Sequence, residues 1–155
     1  MYKKIFLILI IFNFLNNCGF TPLHSIKQTA NFSLEIVSFE GDRKINNYLM
    51  ANLSRFENDK FDKKFTIKVN TNYNKKIISK DKTGKVTNYE LSVVSVFQTS
   101  YEGKLIKRFE LSERKTIDNI EDKFEEQKYE KSVKQNFANA ISNKLITELS
   151  LLNDL

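Results

Sequence analysis

The chain has 155 residues, 41% of them hydrophobic and 28% charged, which suits one globular domain and is too apolar for a disordered chain. Four glycines and one proline leave no glycine-rich phosphate loop and no spacer at which a second domain would begin. The net charge of +6 is not gathered into an arginine-rich stripe, so nucleic acid is not an expected partner.

Residues 1–17 read as a signal peptide. Lys3 and Lys4 supply a positive start, and Ile5 to Leu15 supply an apolar core broken only by Asn13. A bilayer-spanning helix needs about 20 apolar residues, so this run is short for an anchor and has the length of a signal-peptide core. Cys18 follows, the only cysteine of the chain, with Leu15 three residues before it and Gly19 after it. A lone thiol cannot close an intramolecular disulfide, and an exported chain meets an oxidising compartment. The arrangement resembles the lipobox of bacterial lipoproteins. There the thiol receives a diacylglycerol, the signal is cut just before the Cys, and the new amine is acylated with a chain such as palmitate. Asn17 stands where that motif usually has a small residue. A buried structural cysteine is the other reading of Cys18. Cleavage before Cys18 removes Lys3 and Lys4 and lowers the net charge to +4.

Beyond the junction, Phe32, Leu34 and Ile36 alternate with Ser33 and Glu35, the period of a half-buried strand. Gly41 ends it and Asp42 is placed to cap a helix, on which Ile45, Tyr48, Leu49, Leu53 and Phe56 form one apolar stripe. The stretch 65–73 alternates cleanly, with Phe65, Ile67, Val69, Thr71 and Tyr73 on one face. A Lys-rich loop is expected over 74–85, followed by a long strand with Tyr89, Leu91, Val93, Phe97 and Tyr101 on one face. Glu102-Gly103-Lys104 signals a tight hairpin, and the returning strand is expected to point Leu105, Phe109 and Leu111 one way. Tyr129, Val133, Phe137, Ile141, Leu145, Leu149 and Leu152 then recur every three or four residues, predicting a long C-terminal helix.

The fold class that follows is α+β: a four-stranded, mostly antiparallel sheet with two α-helices packed on one face, as a single domain over 18–155. Val94 and Val96 fall on the opposite face of their strand. Either that face is covered locally, or it meets a partner.

Catalytic chemistry is hard to place on this chain. Its one histidine, His24, lies just after the cysteine, no metal-ligand spacing occurs, and no nucleophile has an oriented base. A non-enzymatic protein without a cofactor is expected.

"CGFTPLH", from Cys18 to His24, resembles the start of the LPS-assembly lipoprotein family LptE, especially its alphaproteobacterial branch. "KFTIKV", "TNYELSVVSVFQ" and "GKLIKRFELSERKTID" continue the resemblance as far as the C-terminal helix, to about Leu152. His24 replaces an expected Tyr, and Asn16-Asn17 departs before the cysteine. The resemblance implies a lipoprotein held at the periplasmic side of the outer membrane by the lipid on Cys18. It implies a plug inside the LptD β-barrel that supports barrel assembly and assists lipopolysaccharide transport to the surface. Lys75, Lys76, Lys80, Lys82 and Lys85 are the candidate contacts for lipid A phosphates; a solvated loop is the other reading of the same cluster. The rival function is a freestanding periplasmic lipoprotein that binds a small or lipidic ligand between sheet and helices.

Overall fold

The computed structural model describes residues 31–58 and 61–153; residues 1–17 and Cys18 lie outside them. In chain order the elements are β1 (Ser33–Gly41), α1 (Arg43–Leu53) with a 3-10 turn (Ser54–Phe56), β2 (Lys64–Lys80), β3 (Val86–Tyr101), β4 (Lys104–Asp118) and α2 (Lys123–Asn153). The strands lie in the order β1-β2-β3-β4. β1 runs parallel to β2 through the α1 crossover, and the other pairs are antiparallel. The expected α+β architecture is present.

Each element follows from local chemistry. The Asp42 carboxylate accepts from the Ile45 N–H at 2.9 Å, which satisfies one of the unpaired donors in the first turn of α1. Just before it, Gly41 has φ +90, and a Cβ there would stand 1.8 Å from the Thr71 carbonyl oxygen. Only glycine permits that approach, and it lets the Asp42 N–H donate to the same oxygen at 2.8 Å. Along α1, Ile45, Leu49 and Leu53 are fully buried, one apolar residue per turn.

The core lies between the helices and one face of the sheet. Phe65, Ile67, Leu91, Val93 and Phe97 are buried there with Ile141, Leu145 and Leu149 of α2. Each such side chain contributes about 1.5–3 kcal/mol on leaving water. Rows cross the whole sheet: Leu34 pairs with Phe65, Phe65 with Tyr101, and Tyr101 with Lys104. α2 has 31 residues and therefore spans about 46 Å, close to the length of β3.

Two expectations are corrected. The loop over 74–85 is mostly strand: β2 continues to Lys80, with Lys75 opposite Leu91 and Ile77 opposite Tyr89. Only 81–85 turns, with the Asp81 carboxylate accepting from the Thr83 and Lys85 N–H groups at 2.8 and 3.0 Å. The backbone ladder to β3 carries this segment, so its polar composition hides a strand. The second correction concerns β4. Thr99 pairs with Lys107 but Ser100 with Leu105, a β-bulge that leaves Ile106 without a partner. Leu105 consequently shares a face with Ser100 and not with Phe109 and Leu111.

Candidate functional site

Two surfaces come out of this frame. The first is the sheet face turned away from the helices, on which no described element packs. The alternation of β2 places Lys68, Asn70, Asn72, Asn74 and Lys76 there, all exposed. β3 adds Ser92, Val94, Val96 and Gln98, and β4 adds Arg108, Glu110 and Arg114. Cross-strand partners are Asn70, Val96 and Glu110 in one row and Asn74, Ser92 and Arg114 in another. The half-burial of Val94 and Val96 comes from these neighbours within the sheet, not from a covering element. The result is a field of amides, hydroxyls and charges of both signs with two valines at its centre.

The second surface is the far end of the sheet, where the five candidate lysines lie. They do not act as one group. Lys75 points toward α2, donating to Glu126 at 2.6 Å and Glu130 at 3.2 Å, with its ammonium 4.6 Å from the Tyr89 ring centroid. Burial opposes its charge, but the two carboxylates outweigh burial and raise its pKa. Lys85, in the turn, pairs with Glu121. Lys76 and Lys80 on β2 and Lys82 in the turn are exposed and make no ion pair among the described residues. Three lysines are therefore open to a ligand and two belong to the protein's own charge network.

That network extends along α2 to the α1 cap. Lys134 of α2 is largely buried and donates to Asp42 at 2.9 Å, lies 3.8 Å from Glu130, and stacks 3.7 Å from the Tyr73 ring centroid. Burial raises the Asp42 pKa, but the Ile45 N–H and Lys134 overcome this and leave it below its ordinary 3.8. Glu126, held by Lys123 and Lys75, likewise ionises below 4.5. Burial and the nearby Glu130 and Asp42 charges push the Tyr73 phenol up. The chain Asp42–Lys134–Glu130–Lys75–Glu126–Lys123 thus joins α1, β2 and α2. The signal in the sequence is the spacing of Glu126, Glu130 and Lys134, four residues apart on one helix face. Arg108 and Arg114 were equally readable from the period-2 pattern of β4. Among the described residues no cluster of His, Cys, Asp or Glu is arranged to hold a metal ion.

No protein-family model matches the sequence, and no curated protein matches it by sequence alone. Solved structures do match by shape. The rare lipoprotein B of Shewanella oneidensis superposes with a TM-score of 0.55 at 14% identity, over 77% of this chain and 99% of its own. A minor lipoprotein of Acinetobacter baumannii gives 0.55 at 13% identity, over 76% of this chain and 92% of its own. A lipoprotein B of Nitrosomonas europaea gives 0.52 at 14% identity, over 81% and 88%. The chain shares the fold of these bacterial lipoproteins.

Proposed function

We propose that this chain is a lipoprotein, anchored through Cys18 to the periplasmic side of the outer membrane, that plugs an LptD-type β-barrel and assists lipopolysaccharide transport. The observation that carries the reading is the fold shared with lipoprotein B proteins, in a chain whose lipobox-like cysteine stands shortly before β1. The exposed sheet face supports it physically. A barrel lumen is polar and wet, and Asn70, Asn72, Asn74, Ser92 and Gln98 offer donors and acceptors suited to such a wall. Lys76, Lys80 and Lys82 are the cations this reading assigns to lipid A phosphates. The role is one of binding and assembly, without a catalytic step or cofactor.

The test is affinity purification of the full chain, tagged after Leu155, from native membranes in mild detergent. A near-stoichiometric large β-barrel protein is expected, with lipopolysaccharide recovery reduced when Lys76, Lys80 and Lys82 are all replaced by Gln. Recovery of the acylated chain alone would overturn the plug.

A further inference from the structure

Both ends of the described chain lie at one end of the sheet. There Ser33 pairs with Lys64, the row from Leu34 to Lys104 crosses all four strands, and the Lys63 ammonium donates to the Leu152 carbonyl at 3.2 Å. The start of β1, the β3–β4 turn and the end of α2 therefore share this end, with β1 and β4 about 14 Å apart across three strand spacings. The segment from Gly19 to Asn31 can span at most about 45 Å. A lipid on Cys18 keeps this end within that reach of the bilayer, while the turn at 81–85 lies roughly 50 Å further along the sheet.

The β3–β4 hairpin at that end is not built like a solvated turn. Its tip is a tight turn with Glu102 at φ 49 and Gly103 at φ 75. The bulge after it turns Leu105 away from the core, and leaves Leu105 63% and Ile106 45% exposed. Without the bulge, the alternation that buries Phe109 would have turned Leu105 inward. Lys104, Lys107 and Arg108 flank the two aliphatic residues, against a single acid, Glu102, and Tyr101 stands at the base. Lys107 also lies 3.5 Å from Glu148 on α2, and Leu151 of α2 is 60% exposed at the same end. Aliphatic side chains ringed by cations and a tyrosine are the composition of segments that settle at the headgroup boundary of a bilayer.

We infer that the β3–β4 turn, through Leu105 and Ile106 with Lys104, Lys107 and Arg108, is a second, non-covalent membrane contact that seats this end of the domain on an anionic phospholipid surface. The location rests on the lipoprotein reading, and the contact itself rests on the bulged hairpin. It adds a second point of attachment beside the lipid on Cys18 and so fixes which end of the sheet lies against the bilayer.

The chain contains no tryptophan, so a single Leu105→Trp substitution reports on this site alone. The full-length protein is reconstituted in phosphatidylethanolamine–phosphatidylglycerol vesicles carrying brominated acyl chains, and the mass of its N-terminal peptide is read in parallel. The emission of Leu105→Trp is expected to be blue-shifted and strongly quenched by bromine, as is that of Ile106→Trp, while Thr83→Trp at the opposite end shows neither effect. Charge reversal of Lys104 and Arg108 to Glu is expected to weaken the quenching. Water-like, unquenched emission from both hairpin variants overturns the inference. So does blue-shifted but unquenched emission, which means that protein and not lipid covers the turn. An N-terminal peptide without the lipid mass counts against the lipoprotein reading, and bromine quenching still decides the hairpin contact on its own.

Discussion

Where α2 ends, its Ile141, Leu145 and Leu149 join a layer of Phe65, Ile67 and Phe97 that water does not reach. Where α2 begins, it meets the same sheet through Glu126, Glu130 and Lys134, set against Lys75, Tyr73 and Asp42. The two halves of one helix–sheet interface thus rest on different physics. Apolar burial at the near end is non-directional and involves no group that titrates. The ionic half depends on geometry and charge state, and desolvation offsets part of its Coulombic gain. The near half is expected to supply most of the stability, and the far half to fix how α1, β2 and α2 are aligned.

The comparison can be broken most sharply in the apolar half. Phe97→Ala empties a site with no accessible surface and is expected to destabilise the protein by about 3–5 kcal/mol, read as a lower denaturant midpoint. In the ionic half, Lys134→Ala leaves Asp42 and Glu130 without their shared cation and removes the ammonium from the Tyr73 ring. A loss of about 2 kcal/mol is expected. A Lys134→Ala loss as large as that of Phe97→Ala would show that the ionic half carries more stability than this contrast assigns to it.

Acid sharpens the contrast with a smaller effect. Asp42 and Glu126 ionise below 3.8 and 4.5 in the folded protein, so the unfolded chain takes up protons first as pH falls. Their contribution is fully present above the unfolded values and is lost as pH drops through the lowered folded ones. Little change is therefore expected from neutrality to about pH 5, followed by a decline below about pH 4. Native-state hydrogen exchange read site by site should show protection falling first over the beginning of α2 and the Asp42 cap, with Ile141 to Leu149 holding longer. Uniform loss along α2 would mean that the halves open together.

Much of the fold was legible because burial imposes a period. Phe65, Ile67 and Val69 on β2, and Ile141, Leu145 and Leu149 on α2, repeat at two and at three to four residues, and every one is in the core. Asp42 was readable as a cap because its side chain acts on the residues beside it in the chain. Periodicity failed where burial stops. The lysines of 75–80 carry no apolar alternation, so a strand held by its backbone ladder resembled a loop. The β4 bulge was equally silent, since a one-residue shift in pairing is set by the partner strand.

The candidate site divides in the same way. Five lysines close together in sequence suggested one cationic cluster. Strand alternation instead turned Lys75 toward the acids of α2 while Lys76 faces the other side. Glu126 and Glu130 lie some fifty residues further along the chain, so no local pattern pairs them with Lys75. The sequence by itself determined the order of the elements, their apolar faces, the Asp42 cap and the lone Cys18, because each depends on residues close together in the chain. Only the tertiary structure decided which lysines stay free, which face of the sheet is bare, and that Leu105 and Ile106 point outward. Those outcomes depend on pairing between distant strands and on charges brought together by packing, which no short stretch of sequence contains.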